Sequence, residues 1–248
     1  MDVVYVLGTG SRWDNNELRY SLRSIERFGI GLGEVWIVGD MLPDFIDAGK
    51  VRYLHFPDSP NRTPYQNVFS KIAYFFGATT VSRFLLSSDD HFFIKPTDFE
   101  NYPIYYKGEH MPKEPKPEIG DALYNRVLLR TAAFMRQHNL PDKFFEGHTN
   151  KLYSRATWEY LQALGIEEYA MQGDGISLNA PMAAVQAECI KPEYLIKRKD
   201  IKLQHLNTPE DWNQIRKANC FSIGNSAIPT GVAGLLEVLF PDPSRFEK

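Results

Sequence analysis

The sequence predicts an α/β fold in which a mainly parallel sheet carries helices on both faces. Apolar, β-rich runs alternate with segments of helical periodicity over residues 1–97, in the order β-α-β-β-α-β. Glycines or carboxylates follow several of the apolar runs, as is typical of strands that end at a ligand-binding edge. The hydrophobic content of 43% and the charged content of 24% are ordinary for a globular protein.

The length and composition narrow the class of protein further. A chain of 248 residues has room for one large domain or two small ones, and without a repeat or clear linker we expect one, over residues 1–248. The net charge of -3 argues against binding nucleic acid through overall charge. Cys189 and Cys220 fit no metal-binding spacing and are typical of reduced cytosolic thiols. With no predicted leader or membrane span, we expect a cytoplasmic protein without membrane contact.

The first part of the chain has the clearest periodicity. Strands are predicted over Val3–Leu7, Glu34–Val38, Val51–His55 and Phe84–Leu86. The first helix follows Asn15 or Asn16, either of which can cap it. The second helix runs roughly from Tyr65 to Ala78. Its buried stripe consists of Phe69, Ile72, Ala73 and Phe76.

The later part of the chain is less regular. Residues 103–117 contain several prolines and predict a long connection, either a functional lid or a disordered tip. Helices are predicted over Gly120–His138, Thr157–Leu164 and Val232–Phe240, and a strand over Ile201–Leu206.

Two adjacent carboxylates, Asp89 and Asp90, follow the fourth predicted strand. Such groups repel each other and resist desolvation, so they require a cation between them or a water-filled cleft. A divalent ion that bridges the carboxylates to a substrate phosphate is one explanation, and a solvent-facing turn is the other.

Other candidate ligand contacts lie near the ends of the remaining elements. Small residues at 8–11 let the backbone approach a phosphate, although Gly-x-Gly without a third glycine also fits a plain tight turn. Asp40 closes the second strand, where it can bind a ribose or cap a turn. Arg12 and Arg19 are placed to meet a phosphate or sugar near the start of the first helix.

Several stretches resemble the Stealth-type sugar transferases of microbial capsule synthesis. Residues 12–26, RWDNNELRYSLRSIE, follow an Asp-Val-Val-Tyr opening at 2–5, and together they are similar to a conserved block of that family. Residues 84–93, FLLSSDDHFF, are similar to its Asn-Asp-Asp-Met-Phe-Phe segment, and Gly147-His148 is similar to a later block. The resemblance covers residues 1–97 well and the remainder in patches.

The chain departs from the Stealth pattern after Tyr5, and the broader resemblance is to GT-A glycosyltransferases. That resemblance implies a single GT-A-like domain with a Rossmann-like sheet, in which residues 1–97 form the nucleotide-binding half and residues 98–248 the acceptor half. Ser88-Asp89-Asp90 stands where the family has its metal-binding Asp-x-Asp motif. It implies Asp90 as the principal ligand of Mn²⁺ or Mg²⁺, with Asp89 assisting or bonding ribose.

The implied activity is transfer of a sugar from a nucleoside-diphosphate sugar, with a UDP-sugar as the expected donor. The acceptor hydroxyl would belong to a glycan or to a hydroxymethylated base in phage DNA. His205 is the candidate third metal ligand. The candidate nucleotide-sugar contacts are Gly8, Thr9, Gly10, Ser11, Arg12, Asp14, Arg19, Asp40, Asn67, Lys71, Ser88, Asp89 and Asn225.

Catalysis depends on the stereochemistry of transfer. An inverting reaction needs a carboxylate to take the acceptor proton, and the candidates are Asp174 and Glu146. His148, beside Glu146, is a further catalytic candidate. A retaining reaction needs no such base. Two alternatives stay open: a sugar-phosphate transferase, which would release a nucleoside monophosphate, and a non-catalytic nucleotide-sugar-binding protein.

Overall fold

The computed structural model describes residues 1–115, 122–198, 201–203, 209–224, 227 and 231–248, and only the backbone of 209–212. The strands are β1 (Asp2–Val6), β2 (Gly29–Ile30), β3 (Val35–Gly39), β4 (Arg52–His55), β5 (Arg83–Ser87), β6 (His91–Phe93), β7 (Thr97–Asp98), β8 (Ile104–Tyr106), β9 (Lys151–Ser154), β10 (Leu195–Lys197), β11 (Lys202–Leu203) and β12 (Cys220–Ile223). The helices are α1 (Asn16–Phe28), α2 (Pro64–Ala78), α3 (Ala122–Gln137), α4 (Arg155–Ala163), α5 (Ile166–Met171), α6 (Asn179–Ala187), α7 (Pro209–Lys217) and α8 (Val232–Leu239), with a 3₁₀ turn over Pro192–Tyr194.

The central sheet has five strands in the order β4-β3-β1-β5-β9. The first four are parallel, and β9 runs antiparallel to β5 at one edge. The prediction of an α/β fold with a mainly parallel sheet is therefore confirmed. Because β1, β3, β4 and β5 point the same way, the turns that follow them lie along one edge of the sheet.

Side chains of β1 alternate between two hydrophobic layers. Val3 and Tyr5 pack in a layer with residues of α1, whereas Val4 packs on the other side with residues of α2. Since successive side chains of a strand point to opposite faces, α1 and α2 cover opposite faces of the sheet.

The start of α2 follows from its sequence. Thr63 Oγ1 accepts a hydrogen bond from the Gln66 backbone N–H at 3.2 Å, and the Thr63 N–H donates to Gln66 Oε1 at 3.0 Å. Pro64 occupies the first helical position, where a missing N–H costs nothing. This capping box fixes the first turn of α2 next to the loop that precedes it.

The predicted elements match the observed ones well in residues 1–97, where each predicted strand is correct to within one residue at each end. The sequence did not predict the edge strand β9, which is short and pairs with the distant β5. Of the strand predicted over Ile201–Leu206, the structure shows Lys202–Leu203 as β11, and residues 204–206 lie outside the described chain. The predicted helix Gly120–His138 appears as α3, and residues 120 and 121 are likewise outside it.

A second, three-stranded sheet brings late residues to the end of β5. Its order is β11-β12-β6, with β12 antiparallel to β6. The Ile223 N–H donates to the backbone oxygen of Asp90 at 3.2 Å. This pairing places β11 and its Lys202 near the two carboxylates after β5.

No helix in the described part of the chain has both the length and the apolar character that a membrane crossing needs.

Candidate functional site

Three adjoining cavities open along the edge where the parallel strands end. The side cavity, of about 520 Å³, is lined by residues that include Gly8, Asp40, Asp58, Asn67 and Lys71. The acidic cavity, of about 260 Å³, is lined by Gly8, Gly10, Ser11, Glu17, Ser88, Asp89, Asp90 and Ile223. The large cavity, of about 690 Å³, adjoins the acidic cavity at Ser88 and is lined by residues that include Lys107, Glu146, His148, Lys151 and Lys202.

Asp89 and Asp90 form the floor of the acidic cavity in the turn between β5 and β6. Partial burial raises the pKa of Asp89, and the neighbouring charges of Asp90 and Glu17 raise it further. Burial also raises the pKa of Asp90, while the positive charge of Lys202 acts in the opposite direction. The Asp90 side chain remains 27% exposed. The pair is thus held in a site where a bound cation would relieve its repulsion.

Glu17 is a third carboxylate of this cavity, and the sequence reasoning missed it. It lies in the first turn of α1, is 4% exposed, and accepts a hydrogen bond from Ser11 Oγ at 3.0 Å. The same Ser11 oxygen accepts hydrogen bonds from the backbone N–H groups of Trp13 and Asn15, at 3.2 and 2.9 Å. The prediction that Asn15 or Asn16 caps α1 is corrected, because Asn15 adopts a left-handed backbone with φ 57° and its side chain makes no capping hydrogen bond.

Asp89 and Asp90 fit a divalent ion that takes its remaining coordination from a bound ligand. Within the described residues, no group of three or more His, Cys, Asp or Glu side chains is placed to hold a metal on its own. His205, the predicted third ligand, lies outside those residues. Mg²⁺ commonly binds through one or two carboxylates together with substrate phosphates and waters, and Asp89 and Asp90 supply that number of hard oxygen ligands.

Buried hydrogen bonds shape the side cavity. Lys71 is 1% exposed, and its Nζ donates to the Leu7 backbone oxygen at 2.6 Å and pairs with Asp58. Asp58 in turn accepts a hydrogen bond from the Thr9 N–H at 3.3 Å. Lys71 therefore ties the turn after β1 to α2. Asp58 is another residue that the sequence reasoning missed.

Two further predicted contacts line the side cavity. Asn67 holds the loop before α2, because its side chain bonds both the N–H and the oxygen of Ser59, at 3.0 and 3.2 Å. Asp40 directly follows β3, and its Oδ1 lies 3.5 Å from His55 Nε2. The structure thus brings Asp40, Asn67 and the turn at residues 8–10 to one cavity.

Several predicted contacts lie elsewhere. Arg19 stacks over the Phe45 ring at 4.6 Å, and its Nε is 3.5 Å from Glu247, because α1 packs this face against the C-terminal segment. Arg12 and Asp14 are exposed and are not among the residues that line the three cavities. Asn225 falls outside the described residues.

The two candidate bases have different surroundings. Asp174 makes hydrogen bonds with Arg126 at 2.7 and 3.3 Å, and this contact lowers the pKa of Asp174 and makes it a weaker base. Asp174 does not line any of the three cavities. Glu146 lines the large cavity, is 4% exposed, and accepts a hydrogen bond from the Ala180 N–H at 3.1 Å. Burial raises the pKa of Glu146, which suits a group that must accept a proton.

A buried hydrogen-bond network in the wall of the large cavity ends next to Asp90 of the acidic cavity. Asn150 Nδ2 donates to Ser87 Oγ at 3.2 Å, so Asn150 Oδ1 is the acceptor that faces His91 Nδ1 at 2.9 Å. The other ring nitrogen of His91 lies 3.7 Å from Asp90 Oδ1. His148 lies across the cavity wall, with its Nε2 3.5 Å from Lys202 Nζ.

Comparison of the sequence with models of known protein families finds no match, and comparison with curated proteins finds none either.

Proposed function

We propose that this protein is a metal-dependent glycosyltransferase that moves a sugar from a nucleoside-diphosphate sugar to an acceptor hydroxyl. The observation that carries the proposal is the position of Asp89 and Asp90. They lie at the carboxyl end of β5 in a cavity that adjoins both the side cavity and the large cavity. A transferase that joins two substrates at a metal needs this arrangement of two binding spaces beside one cation site.

The side cavity suits the nucleoside of the donor. Asp40 offers carboxylate oxygens to ribose hydroxyls, and the small residues at 8–10 allow a ligand to approach the backbone. Lys71 and Asn67 act here as positioning residues, since their polar atoms hold the surrounding loops through Asp58 and Ser59. The donor diphosphate would then reach the acidic cavity, which shares Gly8 and Gly10 with the side cavity.

Asp89 and Asp90 would hold Mn²⁺ or Mg²⁺ against the two phosphates. The ion supplies neutralisation of the charge that develops on the leaving diphosphate as its bond to the sugar breaks. Lys202, whose positive charge acts on Asp90, adds a second cation at the same place. Glu17 repels both aspartates and so favours occupation of the site by a cation.

The large cavity suits the acceptor. If transfer inverts the anomeric centre, Glu146 is the residue positioned to take the proton from the acceptor hydroxyl. It is the one carboxylate among the described residues that line this cavity. If transfer retains configuration, Glu146 serves only to hold the first turn of α6 through its hydrogen bond to the Ala180 N–H.

A thermal-shift panel tests the proposal. Nucleoside diphosphates and nucleotide sugars are added with and without Mn²⁺ to the native protein, to Asp90→Asn, and to Asp242→Asn, which changes an exposed aspartate. A donor at about 100 times its Kd adds about 2.7 kcal/mol of stability, which corresponds to a rise of about 5–10 °C in Tm. We expect one nucleotide to give this rise with Mn²⁺ in the native protein and Asp242→Asn, but not in Asp90→Asn.

The alternatives give other results. Release of a nucleoside monophosphate from the bound donor would indicate a sugar-phosphate transferase. Donor binding without turnover on any acceptor would indicate a binding protein. The absence of a shift from every nucleotide would contradict the proposal.

A further inference from the structure

The hydrophobic layer between the central sheet and α2 continues into the wall of the large cavity. Val6 of β1 and Leu86 of β5 are only partly buried, pack against the core on this side of the sheet, and line the cavity. They share a face of the sheet, because Leu86 pairs with Val4 and Val6 lies two residues after Val4. Ile72 of α2 lines the cavity from the helix side.

The opposite face of the sheet ends differently. Leu7, which directly follows β1, packs in the layer with α1 and is 4% exposed. It lines none of the three cavities, whereas its neighbour Val6 lines the large one. The chain thus buries the last apolar residue on the α1 side and leaves apolar surface at the cavity on the α2 side.

Val68 adds an exposed apolar side chain to the large cavity. It lies in the second turn of α2 and is 41% exposed, although the exposed face of a helix is usually polar. Val68 and Pro64, which are one helical turn apart, line both the large cavity and the side cavity. This apolar surface therefore faces ligand-binding space.

Polar residues from other segments line the same cavity. They include Glu146, the candidate base, and Asn179, whose Oδ1 accepts a hydrogen bond from Tyr153 Oη at 3.0 Å. Ser88 also lines the acidic cavity and so connects these residues to the proposed metal site. The large cavity therefore offers polar groups near the proposed chemistry together with an apolar surface.

The size of the large cavity suits a ligand with both characters. Its volume of about 690 Å³ is typical of small-molecule sites, which are mostly apolar with a few placed polar groups. A sugar alone would satisfy the polar groups but leave the apolar surface in water. An apolar group attached to the sugar would gain the free energy of removing that surface from water.

We propose that the acceptor is a glycoside with an apolar aglycone, an alkyl chain or an aromatic ring, and that the aglycone covers Val6 and Val68 in the large cavity. The inference rests on the proposed function and names the substrate class of its acceptor side. A hydroxymethylated base in DNA fits less well, because the strand would bring its phosphates to a chain with a net charge of -3.

Calorimetric titrations test the proposal without nucleotide or metal, so the result does not depend on donor binding. The probes are methyl, phenyl and octyl β-glucoside, the last below its critical micelle concentration. Val68→Asp places a charge on the apolar surface, and Val68→Leu keeps that surface apolar. Val238→Asp is the matched control, because Val238 is a helical valine that is 75% exposed and lines none of the three cavities.

We expect the octyl or the phenyl glucoside to bind at least about tenfold more tightly than the methyl glucoside, since each buried methylene tightens binding about fourfold. Which of the two binds more tightly separates an alkyl from an aromatic aglycone. Val68→Asp should abolish the preference, whereas Val68→Leu and Val238→Asp should keep it.

Other results would overturn the proposal. These are equal or absent binding of the three glucosides, a preference that survives Val68→Asp, and a preference that Val238→Asp also abolishes. Tighter binding of 5-hydroxymethyldeoxycytidine than of the octyl and phenyl glucosides would likewise overturn it, in favour of a nucleic-acid acceptor.

These outcomes are separate from those of the donor panel. A nucleotide-dependent shift without a preference for apolar aglycones would support the transferase and reject only the acceptor class. A preference for apolar aglycones without any nucleotide shift would do the opposite.

Discussion

The acidic cavity and the large cavity meet at Ser88, but the chain builds them in different ways. Most of the acidic cavity comes from two short stretches, residues 8–17 and 88–90, which follow the neighbouring strands β1 and β5. The walls of the large cavity come from segments as distant in sequence as α2, the residues after β8, residues 144–151 and β11. The two aspartates of the first site are therefore readable from local sequence, whereas the second site depends on long-range packing.

The strongest test of this comparison uses the two candidate bases, Glu146 and Asp174, because only Glu146 lines the large cavity. If transfer inverts configuration, Glu146→Gln should lower kcat about 100-fold, as expected for loss of a general base. Asp174→Asn, the matched control, should leave kcat within about twofold because Asp174 bonds Arg126 away from the cavities. Initial rates of nucleoside diphosphate release measure both variants. Full activity of Glu146→Gln would instead indicate a retaining reaction, and a large loss in Asp174→Asn would contradict the placement of the acceptor.

The turn after β1, which lines both the acidic cavity and the side cavity, can be tested through Lys71, because Lys71 ties this turn to α2. Lys71→Met keeps the side-chain length but removes the donor to the Leu7 oxygen and the partner of Asp58. We expect the free energy of unfolding to fall by about 2 kcal/mol, since hydrogen bonds to a charged group are lost and Asp58 is only 20% exposed. Urea denaturation measures this change, with the exposed Lys50→Met as the control. Equal stability of the two variants would show that Lys71 does not hold this edge of the sheet together.

The carboxylate pair also predicts a smaller, pH-dependent effect. The folded protein raises the pKa of Asp89 and Asp90 above the value of about 4 in an unfolded chain. The folded state therefore binds more protons than the unfolded state above that value, and the pair lowers stability progressively as pH rises through the raised pKa values.

Thermal unfolding in EDTA from about pH 5 to about pH 8 measures this effect. The native protein should lose more stability over the range than Asp89→Asn does, and Asp89→Asn should be the more stable of the two at pH 8. Added Mn²⁺ should reduce the difference in native protein, because the ion compensates the two charges. If stability in EDTA changed with pH equally in the native protein and in Asp89→Asn, the result would contradict repulsion between the two aspartates.

The sequence predicted those parts of the structure that short stretches of neighbouring residues determine. Phe84–Leu86 forms a strand because it is short and apolar, and the two carboxylates after it lie where the chain leaves the sheet. Asp40 and Asn67 reach the side cavity for the same reason, since each occupies the end of an element that the periodicity located.

The remaining features depend on contacts between distant residues. Arg19 was expected near a phosphate because it lies close to the start of α1, but its partners Phe45 and Glu247 come from other parts of the chain. Lys202 reaches Asp90 only through the pairing of β11, β12 and β6. Glu17 lies in the first turn of α1, and it reaches the acidic cavity because α1 packs against the sheet that contains β5.

Direct measurement of Mn²⁺ binding tests the central claim most sharply. Electron paramagnetic resonance would follow free Mn²⁺ during titration of the native protein, Asp89→Asn, Asp90→Asn and the control Asp242→Asn, each with and without UDP. The account predicts one tight Mn²⁺ site that requires UDP, present in the native protein and the control and lost or at least about tenfold weaker in the two site variants. Tight binding that persists in both site variants, or no binding in the native protein with UDP, would contradict it.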